Sequence, residues 1–300
     1  MQRSDWAGVF PAITTPFKTD FSVDYEALEN HVTWLLDSGC KGIVALGSLG
    51  EGATLTFDEK VEILKVCKKA TDGRAPLVAG ISGLSTAECV TLAKAAADAG
   101  CDGLMVLPPY VYRGDWREMQ THVSAVMRAT PLSCMLYNNP IAYGTDFTAP
   151  QIEYLADRHE NLHAVKESSG DARRVSAIRE LLGDRLAIFV GLDDMALEGV
   201  AVGATGWVAG LVNALPVESV RLFDLATSGR MEEAQELYQW FLPLLRFDTV
   251  PKFVQLIKLV QAYVGRGTTT VRPPRLELVG EELEEATRVI KAQLGELATV

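Results

Sequence analysis

The sequence is short of positive charge, of paired cysteines and of long apolar runs, and each shortage closes off a class of protein. Its 28 Lys and Arg stand against 39 Asp and Glu, a formal net charge of -11. Nucleic acid needs clustered Lys and Arg against phosphate, so the charge argues against a polyanion partner. The five cysteines, Cys40, Cys67, Cys89, Cys101 and Cys134, form no C-x-x-C pair and have no histidine near them in sequence. They read as free, mostly buried thiols. The four histidines, His31, His122, His159 and His163, lack metal-ligand spacing. Asp193 and Asp194 are adjacent carboxylates without histidine partners and read as a helix N-terminal cap, so no metal is expected. The most apolar window, Ala201 to Val217, is broken by Gly203, Gly206, Gly210, Asn213 and Pro216 and is too short to span a bilayer. The opening Met-Gln-Arg-Ser-Asp-Trp leads to no apolar signal core, so a cytoplasmic protein without a membrane partner is expected.

What is present is a repeat. Within 300 residues, 48% of them hydrophobic, one unit recurs: a short run rich in Val, Ile and Leu, a turn, an amphipathic helix, then Gly or Pro. The runs are Val9 to Thr15, Gly42 to Gly47, Leu77 to Ile81, Gly103 to Leu107, Cys134 to Asn138, His163 to Lys166, Leu186 to Gly191 and Trp207 to Val212. Capping boxes at Thr56 with Glu59 and at Ser85 with Glu88 open helices, and Gly39, Gly73, Gly100 and Gly183 close them. Continuous apolar strands joined by helices imply a parallel sheet, and eight such units imply an α/β fold, a closed (β/α)8 TIM barrel, with a doubly wound sheet as the alternative. Four further helices, Pro216 to Ser228, Met231 to Leu245, Pro251 to Tyr263 and Glu281 to Leu297, exceed what the barrel needs. The expected division is a barrel over 1-228 and a C-terminal helical extension over 229-300 packed on it.

One residue breaks the apolar pattern. Lys166 lies inside the sixth run, His163-Ala-Val-Lys-Glu, where desolvation disfavours its charged form. A neutral amine is a nucleophile toward carbonyl carbon. The bland alternative is a lysine snorkelling at a strand end or paired with Glu167. In a barrel the chemistry gathers at the C-terminal strand ends. There the fifth strand ends Tyr137-Asn-Asn-Pro140, one strand spacing of about 4.8 Å from the sixth. Tyr137 is thus the natural proton shuttle. The second strand ends Gly47-Ser48-Leu49-Gly50, where backbone N–H groups and a hydroxyl suit a carboxylate. The fourth ends with Tyr110 at the same rim. Val208 on the eighth run completes the candidate substrate contacts.

Gly47-Ser-Leu-Gly-Glu51, Tyr137-Asn-Asn-Pro140 and Val165-Lys-Glu-Ser168, in this order and spacing, resemble the dihydrodipicolinate synthase and N-acetylneuraminate lyase superfamily. The likeness runs from Gly8 to about Tyr263. It implies a class I aldolase-like barrel, usually a homotetramer, that binds a 2-oxo acid as a Schiff base and needs no cofactor. By resemblance Lys166 is the Schiff-base lysine, Tyr137 the acid/base residue, and Ser48 with the Leu49 backbone the carboxylate cradle.

The departures narrow the reading. Ala142 stands where the synthase carries an arginine for its second substrate, Leu49 replaces a second hydroxyl, and Val111 replaces a relay tyrosine. These argue against both the synthase and the neuraminate lyase reactions. Tyr137-Asn-Asn-Pro-Ile-Ala-Tyr-Gly-Thr-Asp146 and Phe247-Asp-Thr-Val-Pro-Lys-Phe253 resemble the Δ1-pyrroline-4-hydroxy-2-carboxylate deaminases of hydroxyproline breakdown. That substrate is a small cyclic imine with one carboxylate, and Asn139 and Tyr143 become candidate contacts to its hydroxyl or ring nitrogen. A pyruvate-dependent or 2-keto-3-deoxy sugar acid aldolase or dehydratase is the alternative. A pyridoxal phosphate enzyme is disfavoured because Gly191-Leu-Asp-Asp194 sets carboxylates where a phosphate cradle is needed. A non-catalytic oxo-acid-binding barrel is the alternative of another class.

Overall fold

A strand buried on both faces carries no alternation of polar and apolar residues, and nearly every residue of the eight strands here is buried. The computed structural model describes residues 1–109 and 112–296. In chain order the elements are β1 (Gly8–Pro11), α1 (Tyr25–Asp37), β2 (Ile43–Ala45), α2 (Phe57–Thr71), β3 (Leu77–Ile81), α3 (Thr86–Asp98), β4 (Gly103–Val106), α4 (Trp116–Met127), β5 (Ser133–Asn138), a one-turn helix α5 (Pro140–Tyr143), α6 (Ala149–Ala156), β6 (Leu162–Glu167), α7 (Arg173–Leu182), β7 (Ala187–Val190), α8 (Ala196–Ala201), β8 (Gly206–Ala209) and α9 (Pro216–Thr227). Three more helices follow: α10 (Met231–Leu245), α11 (Phe253–Tyr263) and α12 (Gly280–Leu294). All strand pairs are parallel, in the order β1-β8-β7-β6-β5-β4-β3-β2. Lys41 N–H donating to Val9 O at 2.9 Å and Ile13 N–H donating to Val44 O at 2.9 Å close β1 onto β2. This is a (β/α)8 barrel with a C-terminal set of helices.

The barrel interior is divided. Its N-terminal part is plugged by Trp6, Phe10 and Phe189, with ring centroids 5.2 to 5.9 Å apart. Gly42 and Gly206 make this possible, since a Cβ on either would lie within 2.4 Å of Phe10 or Phe189 ring atoms. Solid packing below confines chemistry to the opposite mouth. The capping boxes at Thr56/Glu59 and Ser85/Glu88 form as read, and Gly39, Gly73, Gly100 and Gly183 take positive φ just past helix ends. All five cysteines are buried and free.

Three strands, β1, β2 and β8, end two or more residues before their apolar runs do, each for an identifiable reason. The first was expected through Thr15, but the Thr14 N–H turns to the Asn213 side chain and the Thr15 hydroxyl to Gly50 O. Leu46 adopts a left-handed φ of 64° and ends β2 before Gly47. The eighth run was expected to Val212, but Asp193 takes the N–H groups of Gly210 and Leu211, and the chain turns into a short 3₁₀ segment. Asp193 therefore caps the turn after β8 instead of a helix of its own. It also accepts from Trp207 Nε1 at 2.9 Å.

The extension shares the barrel's core, with Val254, Ile257, Val260 and Ile290 fully buried in it. Trp240 Nε1 donates to Gln293 O at 3.1 Å, tying α10 to the end of α12. The third extra helix begins at Phe253, two residues after the expected Pro251, and α12 runs from Gly280 to Leu294; the expected end at Leu297 lies outside the described residues. Among the described residues no helix is long and apolar enough to cross a membrane.

Candidate active site

Tyr137 and Lys166 are direct partners in the β5–β6 register, and Lys166 is in turn level with Phe189 on β7. The register settles the question left by sequence alone: both side chains stand at the C-terminal mouth. Lys166 Nζ lies 4.2 Å from the centroid of the Tyr137 ring, and each residue is 6% exposed. Among the described residues no carboxylate forms an ion pair with Lys166 and no acceptor takes a hydrogen bond from it. Glu167, its neighbour in sequence, points away and is held by Asn138 Nδ2 at 3.0 Å and Ser169 N–H at 2.7 Å. Burial pushes the Lys166 amine down from the ordinary lysine range, with the carboxylates of Asp248 and Asp193 and the Tyr143 phenol pulling the other way. An amine held toward its neutral form beside a phenol can attack a carbonyl or imine carbon.

The phenols form a chain. Asn139 Nδ2 donates to the Tyr137 hydroxyl oxygen at 3.0 Å, and the Tyr137 ring meets that of Tyr143 edge-on at 5.7 Å. Tyr143 is hydrogen-bonded to the Ser48 hydroxyl across from β2, and its own hydroxyl reaches toward Tyr137. Burial raises both phenols above the usual tyrosine range, so each holds its proton near neutrality. Asn139 uses both ends of its amide internally, because Oδ1 also accepts from Ala142 N–H at 2.9 Å as the N-cap of α5. Ser48, Tyr143, Tyr137 and Lys166 thus make one line across the mouth, from β2 to β6.

The cradle after β2 is rigidly made. Leu46 and Glu51 flank it in left-handed conformations, at φ 64° and 55°. Such strain persists only where the surroundings enforce it. Leu49 is buried at 3% exposure, Gly47 O accepts from Gly52 N–H, and only Ser48 presents a polar side chain. Glu51 is fully buried and paired with Lys258 at 2.7 Å, which anchors the loop to α11. Val208, at 1% exposure, pairs with Phe10 two residues above Gly206 and adds an apolar wall. Tyr110 and Val111 lie outside the described residues.

Two groups at this mouth were given no role by the sequence reading. Ser168, two residues past Lys166, has a buried hydroxyl that approaches Tyr137 without completing a hydrogen bond of ordinary geometry. Asp248, from a 3₁₀ turn (Arg246–Thr249) after α10, comes within electrostatic range of Lys166. The signal for Asp248 was faint: one acid between Phe247 and Val250 after an apolar helix. A cavity of about 720 Å³ opens at the other end of the barrel, but Lys68 and Asp102 on its wall pair at 2.9 Å and it lies away from the lysine and phenols. Among the described residues no group of three or more His, Cys, Asp or Glu is placed to hold a metal ion.

A closed barrel with a buried, unpaired lysine beside a phenol at its mouth is the architecture of class I aldolase-type lyases. The chain belongs to the dihydrodipicolinate synthetase family, whose model matches residues 5–293. It is 33% identical over 291 residues to the 4-hydroxy-tetrahydrodipicolinate synthase of Methanothrix thermoacetophila, covering 97% of each chain. The synthase of Haloarcula marismortui is 32% identical, over 97% of this chain and 94% of that one. Among solved structures, the dihydrodipicolinate synthase from Aquifex aeolicus superposes with a TM-score of 0.93 at 29% identity, covering 98% of this chain and all of that one. The synthase of Methylacidiphilum fumariolicum SolV gives 0.90 at 30% identity, over 96% and 97%. These relatives carry the synthase name, so any narrower assignment must come from the residues of the mouth.

Proposed function

We propose that the protein is a Schiff-base-forming lyase that converts Δ1-pyrroline-4-hydroxy-2-carboxylate to 2-oxoglutarate semialdehyde and ammonia. The observation that carries this is Lys166, buried and unpaired with its amine over the Tyr137 ring, in a mouth whose other described polar groups are mostly hydroxyls. Ser48 and the N–H groups of the Gly47 to Gly50 turn hold the substrate carboxylate. Neutral Lys166 adds to C2, and Tyr137 protonates the ring nitrogen as the C2–N bond breaks, opening the ring by transimination. The lysine imine is then an electron sink: C3 loses a proton and the C4 hydroxyl departs as water. Loss of a C5 proton and protonation at C3 and then C4 shift the double bond to the C5–N bond, and hydrolysis of that imine and of the lysine imine releases ammonia and the semialdehyde. Asn139 and Tyr143 act by fixing Tyr137, since their own polar groups are engaged with it and with Ser48 and α5. A homotetramer, as the resemblance implies, is part of this reading.

The test is ammonia release from that substrate by wild type and Lys166→Ala, together with intact mass after borohydride treatment with pyruvate. Release and a trapped adduct by wild type alone support the reading. An adduct without ammonia release sinks the deaminase and leaves an aldolase or dehydratase.

One observation favours a synthase-type condensation as the second reading. Arg113 packs on α5's end, its Nε 2.9 Å from where a Gly144 Cβ would lie, and could offer a cation that Ala142 does not. Its exposure argues for weaker carboxylate capture than a buried arginine gives. Condensation of pyruvate with aspartate semialdehyde that is lost in Arg113→Ala would establish it.

A further inference from the structure

The ends of β7 and β8 are shaped by two missing side chains. A Cβ on Gly191, just past β7, would fall 2.5 Å from Lys166 Cε and 1.9 Å from Ser168 Oγ. A Cβ on Gly210, just past β8, would fall 2.1 Å from Asp248 Oδ1 and 2.7 Å from its Cγ. The stem of Lys166 and the carboxyl of Asp248 therefore occupy the spaces that side chains on neighbouring strands would fill. From strand spacing and rise these places are about 8 Å apart, the scale of a five-carbon acid with its lysine bond.

Asp248 is held there by its surroundings. The Thr249 hydroxyl is bonded to Arg246 O at 3.1 Å and reaches Asp194 Oδ2 at 3.5 Å. Tyr238 of α10 donates to Asp194 O and meets Glu198 at 2.9 Å, pinning the turn from below. Yet among the described residues no donor reaches the Asp248 carboxyl itself, which is half-buried. A carboxyl so fixed and so free of partners is arranged for something outside the chain.

The proposed reaction has a vacancy of the same kind. Tyr137 serves the lysine end, whereas loss of hydroxide from C4 needs its own acid. We infer that Asp248 lies against the hydroxyl-bearing carbon of the bound substrate and gives its proton to the departing hydroxyl. As the C3 proton passes to the Tyr137 phenolate left by ring opening and its electron pair forms the C3–C4 double bond, the C4–O bond breaks and the oxygen takes the Asp248 proton, leaving as water. The carboxylate then regains a proton from solvent. This rests on the deaminase reading above. It agrees with the electrostatics, because burial and the facing Asp193 and Asp194 raise the affinity of Asp248 for its proton, with Lys166 opposing.

The test compares wild type with Asp248→Asn and Asp248→Glu, full chain, on the pyrroline substrate and on pyruvate. Expected for Asp248→Asn are an unchanged borohydride-trapped pyruvate adduct, ammonia release lower by a hundredfold or more, and a trapped substrate adduct that still carries the hydroxyl by mass. Asp248→Glu recovers part of the rate, and the basic limb of the wild-type pH profile disappears in Asp248→Asn. Undiminished turnover in Asp248→Asn overturns the inference alone. Loss of the pyruvate adduct also overturns it, since Asp248 would then act on the lysine. No ammonia release from wild type overturns this inference together with the deaminase reading.

Discussion

The molecule buries two lysines and treats them oppositely. Lys258 on α11 is 2% exposed, paired with Glu51 at 2.7 Å, bonded to Thr270 O at 2.8 Å and set over the Phe17 ring at 4.5 Å. Lys166 on β6 shares only the ring contact, 4.2 Å from the Tyr137 centroid, and among the described residues has neither ion pair nor hydrogen bond. Both feel the cost of burial, but for Lys258 the Glu51 carboxylate repays much of it, while Lys166 has only more distant carboxylates. Under the proposed function the contrast separates a structural cation from a chemical amine: one clamps the loop after β2 to the C-terminal helices, and the other is the proposed nucleophile. Burial alone marks neither role; the presence or absence of a partner does.

The largest effect expected is on Lys166. Its change to Ala should lower turnover by about 10⁴-fold or more, on the order of 5 kcal/mol in barrier, and abolish the borohydride adduct. An adduct that survives the change, located by peptide mass, would move the chemistry to another lysine and break the comparison. The mirror experiment is on the clamp. Lys258→Met or Glu51→Gln should each cost about 3–5 kcal/mol in urea unfolding, because an uncompensated charge or polar group stays buried. The double change Glu51→Leu with Lys258→Met should recover most of that loss; equal losses in single and double variants would mean the pair does not act as a unit.

Smaller effects sharpen the picture. Tyr137→Phe should reduce turnover by about 10²–10³-fold while changing stability by less than about 1 kcal/mol, as removal of a proton shuttle that supports no packing. A pH series of thermal unfolding gives the smallest signal. With the folded-state pKa of Lys166 lowered, the unfolded chain binds more protons between that value and 10.5, so stability rises with pH across the window. Lys166→Met should accordingly be the more stable protein near pH 7, with the difference from wild type closing as pH approaches 10.5. A difference that widens instead would show that the amine is charged and compensated in the fold.

The barrel was legible from sequence because its signals are local. Eight apolar runs, capping boxes and closing glycines act within a few residues of themselves, and the observed strands fall where those runs lie. Strand ends were legible only in part. The stop after Ala209 depends on Asp193, 17 residues earlier in sequence, taking the Gly210 N–H, which no periodicity encodes. At the mouth, Lys166 stood out as a charge in an apolar strand, and Tyr137 and Ser48 followed from strand ends. Their joining through Tyr143 did not, since it needs α5 to turn a residue 95 positions away onto Ser48.

By itself the sequence determined the repeating unit, the lysine in the sixth strand and the family-like motifs, because hydrophobic period and capping chemistry are short-range. Only the tertiary structure decided which charges are compensated. Glu51 meets Lys258 across 207 positions and Asp248 arrives above Gly210 from the C-terminal extension. Desolvation and Coulomb attraction depend on distance in space, and that distance exists only once the barrel has closed.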